Sequence, residues 1–95
     1  MRFEWDAGKA AANLGKHGIS FDLASQIFAG DTLTVDEQTT EDGEYREVSM
    51  GVAGNLLILV VVHTDRNGAI RIISARKANR REAREYDDYH RKNIG

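Results

Sequence analysis

Leu56-Leu57-Ile58-Leu59-Val60-Val61-Val62-His63, then Thr64-Asp65-Arg66-Asn67-Gly68, then Ala69-Ile70-Arg71-Ile72-Ile73-Ser74-Ala75, is the stretch that decides the fold. The first run is apolar at odd and even positions alike, which marks a central strand covered on both faces. Asn67-Gly68 is a short-range hairpin signal, because both residues tolerate positive φ, so Ala69–Ala75 pairs back antiparallel. Upstream, Tyr45–Val52 alternates, with Val48, Met50 and Val52 on one face and Glu47 and Ser49 on the other. Ala53-Gly54-Asn55 turns that strand into Leu56–His63. Thr32–Val35 is a further short β-prone piece, and the acidic stretch up to Gly43 reads as a loop.

The ends read as helices. Asp6 caps a helix running to about Lys16, rich in alanine and weakened by Gly15 and Gly18. Ser20 caps a second one carrying Phe21, Ala24, Ile27 and Phe28 at helical spacing, closed by Gly30. Asn79 caps a last helix through about Arg91, with Ala83, Tyr86 and His90 on one stripe. Arg2–Trp5 is a short β-like segment. The expectation is an α+β domain over residues 1–95: two N-terminal helices, an antiparallel meander of about four strands and a C-terminal helix, the helices packed on one sheet face.

Composition narrows the function classes. The 95 residues contain no cysteine, which removes disulfides and thiolate zinc sites. No apolar stretch follows Met1-Arg2-Phe3-Glu4-Trp5, and Leu56–Val62 is far too short to cross a bilayer, so a cytoplasmic protein with no membrane partner is expected. The net charge of −2 argues against a bulk polycation. It conceals an asymmetry: seven acids and only Arg46 lie between Asp31 and Glu47, whereas nine of thirteen basic residues lie between Arg66 and Lys92. A local basic face therefore remains available to a phosphate backbone.

Several residues break the local pattern. Arg46 shares parity with Val48 and Met50 and so projects from an apolar-parity face, where it needs a partner, an edge or a ligand. His63 ends the central strand, and Arg71 and Arg76 flank the next one on opposite faces by simple alternation. Lys9, Asn13, Lys16 and His17 fall on one side of the first helix. His17, His63 and His90 are scattered, so neither a metal site nor any cofactor is expected. Ser20, Ser25, Ser49 and Ser74 lack the context of a nucleophile elbow. Arginines, lysines and histidines on a small sheet suit phosphodiester cleavage, since cations stabilise phosphorane charge and imidazole moves protons near neutral pH. A non-catalytic binding module for protein or nucleic acid is the alternative. A DNA-binding regulator is disfavoured by the absence of a helix-turn-helix pattern.

Phe3-Glu4-Trp5-Asp6, Lys9, Asn13 and Lys16-His17-Gly18-Ile19-Ser20-Phe21 resemble the N-terminal signature of the BrnT toxin family. Ile70-Arg71-Ile72-Ile73-Ser74-Ala75-Arg76-Lys77-Ala78, Arg81-Glu82 and Tyr86 resemble its C-terminal signature, and Arg46 followed by Gly51 matches the strand between. Ala7 and Thr32 stand where the family often has proline. The resemblance implies a RelE-like fold and a metal-independent endoribonuclease, an mRNA interferase that inhibits translation. It further implies a BrnA-type antitoxin, itself DNA-binding, in a complex of two copies of each or similar, with operator DNA reached only through that antitoxin. On this reading His17, Arg46, His63, Arg71 and Arg76 are the catalytic candidates. Lys9, Asn13, Lys16, Arg81 and Tyr86 are the substrate-binding ones, with Lys16 and Tyr86 as auxiliary donors. Some of the arginines are expected instead in a strand–helix junction, paired with Glu82. The acidic stretch Asp36–Glu44 is the candidate surface for a basic or amphipathic antitoxin segment.

Overall fold

A computed structural model describes residues 1–94. Five strands form one sheet: β1 (Arg2–Glu4), β2 (Leu33–Thr39), β3 (Tyr45–Ala53), β4 (Leu57–Arg66) and β5 (Ala69–Lys77), in the order β1-β5-β4-β3-β2. Strand β4 lies in the middle, and its run Leu59–Val61 is buried on both faces. Asn67 and Gly68 both take positive φ, 53° and 80°, and form the two-residue β4–β5 connection expected of them. Leu56 belongs to the preceding turn rather than to the strand; its φ is 64° and its side chain is exposed.

The sheet has one strand more than the expected meander. Arg2–Glu4 pairs parallel with Ala69–Arg71, which makes the sheet mixed. The β2 segment also runs on to Thr39, into what reads as loop in the sequence. Helix α1 (Ala7–His17) is capped by Asp6, whose side chain accepts from the Lys9 amide, and ends at Gly18 with φ 71°. Ser20 caps α2 (Phe21–Ser25), which continues as a 3₁₀ turn, Gln26–Ala29. Helix α3 (Arg80–Ile94) starts with a reciprocal box: the Glu82 amide donates to Asn79 Oδ1 at 2.8 Å and the Asn79 amide to Glu82 Oε1 at 2.9 Å.

The helices do not share one face, contrary to expectation. Ile19, Phe21, Ala24 and Ile27 meet Ala53, Leu59, Val61, Ile72 and Ala75 on one side. Tyr86, with Tyr89 beside it, packs on Val48, Met50 and Val60 on the other. Both faces of β3 and β4 are apolar over this length, so each needs a cover. Gly51 explains how closely the first layer approaches: a Cβ there would lie 2.7 Å from Ile27 Cβ. Helix α3 covers only part of the second face, and the remainder is open.

Candidate functional site

The open part of that second face is set by a bulge. Val62 pairs with Ser74 but His63 pairs with Ile72, so Ile73 is an extra residue in β5. The extra residue resets the alternation. Ile72 and Ala75, three apart, both enter the core beneath α1 and α2. Arg71, Ser74 and Arg76 consequently all face the α3 side, which corrects the expectation that the two arginines lie on opposite faces. Arg71 is placed independently by its ion pair with Glu4, 3.4 Å away, since Glu4 alternates with the core residues Phe3 and Trp5. Arg46 joins this face through its alternation with Val48 and Met50.

Above β5, β4 and β3 lies a cleft of about 530 Å³, floored by Val48, Val60 and Val62 and lined also by His17, Val35, Asp36, Gln38, Ser74, Arg76 and Glu82. His17 arrives from the opposite layer. It is the last residue of α1, and it reaches round the stretch of β5 that β1 leaves uncovered. Asn13, one turn earlier, ties α1 to β5. Asn13 Nδ2 donates to the carbonyls of Ala75 (2.8 Å) and Ile19 (3.0 Å), while its Oδ1 accepts from the Ala75 amide (3.1 Å). The side chain thus acts as a surrogate strand residue at the β5 edge and ties helix, strand and α1–α2 turn together. Asn13 is buried with both Nδ2 hydrogens engaged, and it also lines the hollow on the α1 side.

A second hollow of about 240 Å³ on the α1 side is lined by Lys9, Asn13, Lys16, His17, Ile73 and Ser74, among others. His17 and Ser74 belong to both, so a continuous track runs from the lysines round the β5 edge to Arg76. Arg71 and Arg46 stand further along the same sheet face. Arg76 is held by Glu82 in a bidentate pair, 2.7 and 2.9 Å, and also donates to the Lys77 carbonyl. This is the strand–helix junction anticipated from the sequence. The pair pulls the Glu82 carboxyl down to about 2 and raises the Arg76 guanidinium. Three bonds leave the Arg76 Nε–H and one Nη2–H uncommitted. Arg46 Nε donates to Glu44 at 2.7 Å, and Arg66 approaches the same carboxylate at 3.5 Å. Arg46 therefore stands at the rim, outside the cleft lining.

Two expected residues lie outside the cleft lining. His63 is on the α1–α2 face, 8% exposed, with Nε2 2.8 Å from Ser49 Oγ and its ring edge-on to Phe28. Burial pushes its pKa below 6.5, against weaker pulls upward from Glu47 and Asp65. It shares no cleft with the arginines. Tyr86 is on the cleft's sheet face but buried beneath α3, and its hydroxyl donates to the Asp31 carbonyl at 2.7 Å. Arg81 is exposed on α3 next to Glu82, near the cleft. Ser74, not singled out from the sequence as a site residue, lines both hollows; only the bulge reveals it. No group of three or more metal-ligating side chains exists among the described residues. No helix among them is long and apolar enough to cross a membrane.

The described residues thus form a small α+β protein with a histidine, an arginine and flanking lysines along one open track. The chain belongs to the family described as the ribonuclease toxin BrnT of type II toxin–antitoxin systems, whose profile matches residues 5–82. Among solved structures it is similar to the Brucella abortus ribonuclease toxin BrnT, at a TM-score of 0.63 and 25% identity, over 84% of this chain and 99% of that one. No curated protein sequence matches it.

Proposed function

We propose that this chain is a metal-independent endoribonuclease of the mRNA-interferase type, cleaving in the cleft bounded by β5, β2 and the start of α3. In this reading the ribose 2′-hydroxyl attacks the adjacent phosphorus in line, the 5′-oxygen leaves, and a cyclic phosphate remains. His17, the histidine that lines the cleft, takes the proton of the attacking 2′-hydroxyl, and the leaving 5′-oxygen takes a proton from water. Arg76 offers its uncommitted N–H groups to the phosphorane oxygens, and Arg71 and Arg46 add positive potential along the same face. Lys9 and Lys16 hold the flanking backbone on the α1 side, and Arg81 does so on the α3 side. Asn13 ties α1 to β5, and His63 and Tyr86 belong to the core.

The observation that carries this reading is the β5 bulge, which turns Arg71, Ser74 and Arg76 to one face at the point where His17 comes round the strand edge. Family membership supports the biological setting: a cytoplasmic, RelE-like toxin that stops translation, is neutralised by a BrnA-type antitoxin, and meets operator DNA only through that partner. The test uses an RNA oligonucleotide and its copy with a single 2′-deoxyribose at the cleaved position, both in excess chelator. Cleavage of the first with a cyclic-phosphate end, and none of the second, is the expected result. Equal cleavage of both overturns the mechanism, and loss of activity on chelation overturns its metal independence. Binding of both without scission points to the binding module instead.

A further inference from the structure

Among the described residues the sheet ends in two edge strands of unequal length, β1 with three residues and β2 with seven. At the β5 margin, β1 covers Ala69–Arg71, and Asn13 occupies both the amide and the carbonyl of Ala75. At the other margin β2 pairs with β3 on one side alone, so the outward backbone groups of Leu33–Thr39 lack a strand partner. Six of these seven residues are exposed. An edge of this length usually carries proline, lysine or a covering element to prevent pairing. Here β2 has no proline and no lysine, only a bulge between Thr34 and Asp36 and the acids Asp36 and Glu37. Glu41 and Asp42 follow in the adjoining loop, and Glu44 beyond them is already paired with Arg46 and Arg66. The edge therefore repels acidic strands and nucleic acid and selects a basic one.

Its position gives the edge a consequence for the cleft. Val35, Asp36 and Gln38 of β2 form one wall of the cavity that contains His17 and Arg76. A strand laid along β2 continues the sheet, and its inward-facing side chains project over the cleft mouth. We infer that the free edge of β2 is the docking site for an extended, lysine- or arginine-rich segment of the antitoxin, which adds as a sixth strand and closes the cleft. This rests on the reading of the chain as a toxin held by an antitoxin, and names the surface and the chemistry that do the holding. Backbone pairing supplies the register, and the acids of β2 and its loop supply the preference for a basic partner.

The experiment compares amide hydrogen exchange of the free toxin with that of its complex with the antitoxin encoded beside it. Alternate amides of Leu33–Thr39 are expected to slow at least about tenfold in the complex, as for any strand that gains a ladder partner. The double variant Glu37→Lys/Glu41→Lys, at positions outside the cleft lining, is expected to bind that antitoxin about tenfold more weakly while free-toxin RNA cleavage is unchanged. Unchanged exchange in β2 while other elements become protected overturns the proposal, as does unchanged affinity of the double variant. Absence of any complex overturns it too. A toxin that binds the antitoxin through β2 but cleaves no RNA leaves this inference standing and removes the catalytic reading.

Discussion

Asn13 and His17 stand four residues apart on the same side of α1, yet one is bonded into the β5 edge and the other faces a cleft. Replacing Asn13 with alanine leaves two carbonyls and one amide of the α1–β5 junction unpaired. The expected cost is roughly 2–3 kcal/mol, read as a shift of the urea midpoint. His17→Ala should keep that stability and lose cleavage by roughly 10²–10⁴-fold, the range for a general acid or base. His63 gives a pH test. Its folded pKa lies below 6.5 because burial disfavours the imidazolium. The unfolded chain therefore binds the proton more readily, and stability is complete above pH 6.5 and falls as pH drops below it. In His63→Gln this slope should flatten, as followed by denaturation at a series of pH values. Glu82 behaves as a depressed carboxyl: its contribution is present above 4.5 and lost as pH falls toward 2. The stability gap between wild type and Glu82→Gln should accordingly close over that window. The candidate side chains were legible in the sequence as departures from pattern, but their roles were not. A histidine on an apolar strand and one at a helix end look alike until burial separates them.

The elements follow their local signals where those signals are chemical, and depart where pairing is decided at a distance. Asp6, Ser20 and Asn79 cap as their side chains dictate, and Asn67-Gly68 turns as its backbone allows. Removing the Asn79 side chain should cost about 1 kcal/mol by breaking the box with Glu82. It should also loosen the carboxylate that orients Arg76, so Asn79→Ala is expected to shift α3 melting and cleavage together. Gly51→Ala should destabilise by roughly 1–3 kcal/mol, because the new methyl meets Ile27. The parallel β1–β5 pairing was illegible because a three-residue segment has no periodicity of its own, and its partner lies 67 residues away. The β5 bulge was equally hidden. Ile72-Ile73 continues an aliphatic run, and nothing local says which of the two is the extra residue. That one insertion decides the face on which Arg76 stands, so the site could not be assembled by alternation alone.

At the scale of the whole molecule, charge is sorted by edge. The open β2 margin and its loop are acidic, and the opposite side, with α1, β5 and the start of α3, carries the lysines and arginines along the cleft track. The net charge of −2 hides this sorting, which appears in the sequence only as the contrast between the Asp31–Glu47 and Arg66–Lys92 stretches. Expressed without its antitoxin, the chain should arrest bacterial growth with fragmented RNA, and an Arg46→Ala/Arg76→Ala variant that still folds should not. The most direct test of the central claim is the RNA cleavage rate of His17→Ala beside that of His63→Ala, both checked for folding. A site on the α3 face predicts that His17→Ala is inactive and His63→Ala retains most of the wild-type rate. Activity surviving in His17→Ala and lost in a folded His63→Ala would place the chemistry on the opposite face and contradict the account.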